Sequence, residues 1–148
     1  MILVSKSFNE LTIHELHDLL QLRSLVFVVE QDCVYQDIDG KDDKATHVLG
    51  MHENRVVAYA RIFAPGDFVA HSSIGRVVVH PEMRSRKLGK ELMNYCIHFC
   101  KSQKWTHIAI SAQCYLDRFY TELGFVHTGK EYLEDGIPHQ EMIYTFIE

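Results

Sequence analysis

Val77-Val78-Val79-His80-Pro81-Glu82-Met83-Arg84-Ser85-Arg86-Lys87-Leu88-Gly89-Lys90-Glu91-Leu92 changes character three times in one short stretch. The three β-branched valines read as the end of a strand. Pro81 has no N–H to give a sheet ladder, so the strand stops at His80. Arg84, Arg86, Lys87 and Lys90 then crowd into seven residues with no acid among them. From Leu88 the apolar positions Leu88, Leu92, Tyr95, Cys96 and Phe99 recur at helical spacing, which predicts a helix running to Gln103. A helix start offers unpaired backbone N–H groups and roughly half a positive charge, and the loop adds up to four cationic side chains. Strand, basic loop and helix start therefore make a candidate site for a phosphate or pyrophosphate, with a solvated basic turn as the plain alternative. Gly89 lets the backbone approach such a ligand. Neither GxxxxGK[ST] nor GxGxxG is present, which argues against nucleoside triphosphate hydrolysis and Rossmann-type dinucleotide binding.

Outward from this stretch, strand and helix signals alternate. Ile2 to Phe8 opens as a strand. Thr12-x-x-Glu15 is a capping box, with Leu11 and Leu16 as its hydrophobic staple, and predicts a helix from Thr12 to near Glu30. Val26, Val28 and Val29 are β-branched and weaken its last turn. The runs His47 to His52 and Arg55 to Phe63 flank Glu53-Asn54, a tight hairpin connection, and Ile74 to Val79 is a third run. Ile108 to Ala112 reads as a short buried strand, and Leu116 to Leu123 as a short helix closed by Gly124 at a left-handed C-cap. Phe125 to Lys130 and Gln140 to Ile147 flank a turn at Asp135-Gly136-Ile137-Pro138. The order β, α, loop, β, β, β, α, β, α, β, β predicts one α/β (α+β) domain over residues 1–148, with a mixed, mainly antiparallel central sheet flanked by helices.

The 148 residues, 47% hydrophobic and 24% charged, suit one globular domain and leave no room for a second catalytic one. The longest purely apolar stretch, Leu25 to Val29, falls far short of the ~20 residues of a membrane-spanning helix. Met1 to Val4 is cut off by Ser5, Lys6 and Ser7, so no secretory or lipidation signal is read and a cytoplasmic protein is expected. The net charge of −5 is spread unevenly: Glu30, Asp32, Asp37, Asp39, Asp42 and Asp43 meet only two lysines before Ala45. An acidic chain with one isolated basic loop does not suit nucleic acid and does suit a small polyanion. The acidic segment reads as a solvated loop or, more sharply, as an attractor of a cationic amine. Setting Gly40 at the glycine of an EF-hand loop puts Tyr35 at the first ligand place and Thr46 at the twelfth, which excludes calcium by that loop. Cys33, Cys96, Cys100 and Cys114 contain no CxxC pair and are expected as buried free thiols. His14 and His17 are expected on the surface, and no metal is expected.

The basic loop resembles the cofactor motif of the GCN5-related N-acetyltransferases (GNAT), [Q/R]-x-x-G-x-[G/A]. Arg84, Ser85, Arg86, Lys87, Leu88 and Gly89 take its six places in order, with Lys87 in place of the first glycine. A second family pattern, Asn-x-x-Ala-x-x-x-Tyr-x-x-x-Gly-Phe, is resembled by Gln113, Leu116, Tyr120, Gly124 and Phe125; the last three match, and Gln113 and Leu116 replace Asn and Ala. Val26-Phe27-Val28-Val29-Glu30-Gln31, Tyr35-Gln36-Asp37-Ile38-Asp39-Gly40 and Glu134-Asp135-Gly136-Ile137-Pro138-His139 are similar to the ElaA-like bacterial subgroup.

The resemblance implies an acyl-CoA-dependent N-acetyltransferase that moves an acetyl group from acetyl-CoA to a primary amine of a small molecule or peptide, by direct attack in a ternary complex. It implies acetyl-CoA where the Ile74 and Ile108 strands diverge, held by Val77, Val78, Val79, Arg84, Ser85, Arg86, Lys87, Leu88, Gly89, Lys90 and Gln113. Tyr120, by pattern alone a core tyrosine, becomes the expected proton donor to the departing thiolate. Glu30, Asp37, His80 and His139 stay open as the base for the amine. A catalytically silent acyl-CoA-binding sensor or interaction module is the alternative, motivated by Lys87 and Gln113; a thiol hydrolase using Cys114 has less support. The expected partners are acetyl-CoA and an amine, with no nucleic acid or membrane, and a homodimer is left open.

Overall fold

In the computed structural model, which describes residues 1–147, Thr12 accepts the Glu15 amide at 3.0 Å and returns its own amide to the Glu15 carboxylate at 2.9 Å. Glu148, the end of the expected domain, lies outside the described residues. That reciprocal cap starts α1 (Ile13–Arg23) after β1 (Ile2–Ser7). The helix continues to Glu30 as expected, but Ser24–Glu30 is wound as a π-helix, with Gln31 N–H on Val26 O and Cys33 N–H on Val28 O, both at 3.1 Å. Glu53 and Asn54, at φ 51 and 63, make the tight turn between β2 (Thr46–His52) and β3 (Arg55–Phe63). Then come β4 (Ser72–Val79), α2 (Leu88–Ser102), β5 (His107–Gln113), α3 (Asp117–Leu123), β6 (Val126–Glu134) and β7 (Ile137–Thr145). Gly124 ends α3 at φ 108, where a Cβ would stand 2.9 Å from the Tyr144 ring. The final turn is shorter than expected: Ile137 and Pro138 already pair with Glu134 and Leu133, leaving only Asp135 and Gly136, both at positive φ.

The strands form one sheet in the order β1-β2-β3-β4-β5-β7-β6, antiparallel everywhere except between β4 and β5. Ala58, Ala60 and Ile62 of β3 bury against Leu92, Met93 and Cys96 of α2. Tyr59 faces the other way, with Leu19, Leu22 and Val26 from α1 and its π-helical extension. β3 is thus covered on both faces. On β5, Ile108, Ile110 and Ala112 join the α2 core, while the alternating Ser111 and Gln113 turn toward a cleft. Two cysteines depart from expectation. Cys96 and Cys100 are buried, and burial pushes the Cys100 thiol up to about 12, but Cys33 and Cys114 lie off the α2 face and are only half-buried. His14 and His17 are exposed. No helix of the described residues is long and apolar enough to cross a membrane.

Candidate active site

β4 and β5 are in register only at Ser72↔Ile108 and Ser73↔Ala109, after which they part. Beyond that point neither strand pairs with the other, although β3 and β7 still pair on their outer sides. A bulge helps: Tyr59 opposes Val78 and Arg61 opposes Gly75, so one β3 residue, Ala60, spans Arg76 and Val77, and Arg76 takes φ 50. The result is a cleft of about 1140 Å³, above the roughly 300–1,000 Å³ usual for one small ligand.

Most of the sequence-predicted residues meet there. Val77, Val78, Val79, Arg84, Ser85, Lys87, Leu88, Gly89, Lys90, Gln113 and Tyr120 all line the cleft, while Arg86 stands outside its lining. Lys87 caps α2 in the left-handed region at φ 57, and Ser85 is left-handed at φ 71. A glycine would take the Lys87 conformation without strain; lysine adopts it at a cost of about 1–2 kcal/mol. Gly89 answers to no crowding within the protein, since a Cβ there would meet Phe119 only at 3.6 Å. Tyr120 is buried between Phe119 and Phe125, and burial raises its phenol, followed by smaller effects of Tyr115 and Cys96. Arg84 is engaged across the cleft mouth, giving Glu30 two bonds of 2.6 and 2.8 Å. Gln113 reaches Gln31 at 3.5 Å. Cys114 lies outside the cleft lining and offers it no nucleophile.

The acidic segment is solvated only in part, at Asp32 and Asp43, which are exposed. Asp37 and Asp42 are buried rather than solvated, and with Asp39 they meet three arginines from three other elements. Arg23 binds Asp37 and Asp42 at 2.8 Å, Arg61 binds Asp39 at 2.8 Å and Asp42 at 2.9 Å, and Arg76 binds Asp37 at 2.8 Å. Burial alone would raise the Asp39 and Asp42 carboxyls, yet the guanidiniums hold both below the usual carboxylate range. The three guanidiniums balance these three carboxylates, which leaves Asp37, Asp39 and Asp42 no spare charge for an amine. Their work is to pin the 31–45 loop beneath α1 and beside the β4 bulge.

The opposite wall comes from the last three strands. Ser111 of β5, Tyr132 and Glu134 of β6, and His139 and Glu141 of β7 line it. Tyr132 bonds Ser111 through its hydroxyl and stacks on His139 at 6.2 Å. Among these, the sequence singles out His139 as a candidate base and Glu134 only within a stretch similar to the ElaA-like subgroup. Among the described residues no group of three or more His, Cys, Asp or Glu is placed to hold a metal.

A family model described as an acetyltransferase (GNAT) domain matches residues 16–146. The chain belongs to the GNAT acetyltransferases. Protein ElaA of Escherichia coli strain K12 is 42% identical over 144 residues, covering 95% of this chain and 94% of that protein. An acyl-CoA N-acyltransferase from Pseudomonas aeruginosa superposes with a TM-score of 0.90 at 37% identity, over 98% of this chain and all of that one. The crystal structure of Escherichia coli ElaA gives 0.89 at 39%, over 97% of this chain and 98% of that one. This GNAT chain is thus an ElaA-like N-acetyltransferase. The family uses acetyl-CoA, and the cleft fits it: backbone facing an opened sheet suits the amides of a pantetheine arm, and a basic, left-handed loop at a helix start suits a pyrophosphate.

Proposed function

We propose that one domain spanning residues 1–148 transfers an acetyl group from acetyl-CoA to a primary amine of a small molecule or peptide, by direct attack in a ternary complex. The observation that carries this reading is the parallel β4–β5 pair that opens after two register pairs, directly beside the basic loop. Pantetheine lies along Val77, Val78 and Val79 as a substitute strand, with Gln113 meeting one of its amides from β5. The amides of Ser85, Lys87, Leu88 and Gly89 cradle the pyrophosphate, and Arg84, Arg86, Lys87 and Lys90 add charge.

The amine adds to the thioester carbon, and the carbon–sulfur bond then breaks. Tyr120 lines the cleft with its ring held by Phe119 and Phe125, and its phenol serves as hydrogen-bond and proton donor to the departing sulfur. No enzyme thiol is needed. Free thiols at Cys33, Cys96, Cys100 and Cys114 support a reducing, cytoplasmic setting.

A panel of primary amines, with acetyl-CoA and release of free CoA as the readout, tests the reading. Release with at least one amine, and formation of the matching amide, is the expected result. Tight acetyl-CoA binding without release for any amine would instead favour the silent sensor.

A further inference from the structure

We propose that His139 is the base that takes a proton from the acceptor amine, with Glu134 holding that amine against it as a cation; this rests on the acetyltransferase reading. The other three candidate bases are engaged elsewhere. Glu30 gives both carboxylate oxygens to Arg84. Asp37 holds Arg23 and Arg76 and accepts the Tyr35 hydroxyl at 3.3 Å. His80 accepts the Glu82 amide at 3.1 Å and stands outside the cleft lining.

His139 lines the cleft and is only 6% exposed. Its Nδ1 lies 2.8 Å from the Ile137 carbonyl, which can only accept, so the neutral ring carries its proton on Nδ1 and its lone pair on Nε2. Nε2 faces the half-exposed Glu134 carboxylate at 3.3 Å. With the ring neutral, Nε2 and the carboxylate are both acceptors, and a primary ammonium, with three N–H groups, can serve them together: one for the carboxylate, one for Nε2. Stacking on Tyr132, itself tied to Ser111, fixes the ring plane. Acid outnumbers base around the ring: Glu134 from β6, Asp135 from the turn, whose carbonyl takes the Cys33 thiol at 3.5 Å, and Glu141 on β7 stand against Lys130 of β6, whose Nζ lies 5.7 Å from the Tyr132 ring centre. Gln113, the register partner on β5, does not titrate. This wall, rather than the neutralised Asp37–Asp42 loop, supplies the field for a cationic acceptor.

The protons balance. The ammonium gives one to Nε2, and the free amine forms the nitrogen–carbon bond. As the adduct collapses, sulfur leaves with the Tyr120 proton, and nitrogen sheds its second proton to restore that phenol. The imidazolium returns its proton to water past the half-exposed Glu134.

His139→Asn separates a catalytic from a structural role, because its side-chain N–H still reaches the Ile137 carbonyl while Nε2 is gone. With an amine that the wild type acetylates, kcat is expected to fall about 10²-fold while acetyl-CoA affinity is unchanged. Added imidazole should restore part of the rate in His139→Ala, and Glu134→Gln should raise the KM for cationic amines more than it lowers kcat. Wild-type kcat in His139→Asn overturns the proposal. So does a His139→Ala protein that binds acetyl-CoA but gains nothing from imidazole. If the wild type acetylates no amine at all, the acetyltransferase reading falls first and this one with it.

Discussion

Tyr120 is held by edge contacts with Phe119 and Phe125 at ring separations of 5.0 and 5.9 Å, so Tyr120→Phe keeps the packing and removes only the hydroxyl that we propose as proton donor. Turnover should drop on the order of 10²-fold with little change in CoA affinity; steady-state rates beside titration calorimetry check this. Full activity at saturating amine would show that the thiolate leaves unaided. Arg84 is a different case, because it is already paired. The Glu30–Arg84 pair is about 40% exposed at both ends, which limits its worth to about 0–1 kcal/mol. Glu30→Gln should therefore leave stability unchanged and tighten CoA by no more than about five-fold, by freeing the guanidinium. Arg84→Ala should weaken CoA about ten-fold, since a charge-assisted phosphate contact is worth ~1.5 kcal/mol or more. Equal CoA affinities in wild type and Arg84→Ala would remove this side chain from the phosphate site.

Among the elements, the 31–45 loop carries the largest electrostatic stake. Asp42 is shared by Arg23 and Arg61, both fully buried, so Asp42→Asn strands positive charge in the interior. A loss of about 3–5 kcal/mol in urea unfolding is expected, whichever amine the enzyme uses. A loss under 1 kcal/mol would mean that the loop is held by something else. This loop also shows where sequence reading stops. Capping boxes, β-branched runs and Pro81 are local signals, and the elements they predict appear within a few residues of their expected ends. The basic loop is legible for the same reason, as a run of cations before a helix start, whereas Tyr120 reads by pattern as a core residue and only the family resemblance singles it out. Ion pairs from Asp37–Asp42 to Arg23, Arg61 and Arg76 join segments 14 to 39 residues apart. One trace of them is visible: Arg61 stands in the otherwise apolar run Ala58 to Phe63, where an arginine needs a buried partner. The Ser111–Tyr132–His139 wall is assembled from three strands, and only their register brings it together. The π-helical winding of Ser24–Glu30 had no sequence signal beyond its crowded valines.

For the whole molecule, the ionisable groups predict stability that falls with acid in two stages. His47 is buried, accepting the Tyr59 hydroxyl at 2.6 Å and donating to the Asp42 carbonyl at 2.8 Å, and burial holds its pKa below 6.5. The unfolded chain protonates this histidine first, so its contribution is present above pH 6.5 and drains away as pH falls below it. Asp39 and Asp42 are held below 3.8 and act with the same sign, so a second loss sets in as pH falls through that value. Melting temperatures across pH 3 to 8 should trace both stages, and His47→Gln should erase only the upper one. The parting of β4 from β5 has a colloidal cost as well. It leaves two raw strand edges face to face inside one sheet, each able to capture a foreign extended chain. Warmed without ligand, the protein should turn cloudy below its melting temperature. In the proposed pose the pantetheine arm caps both edges, so coenzyme A should keep the solution clear, whereas adenosine 3′,5′-diphosphate, which in that pose reaches only the basic loop, should protect far less.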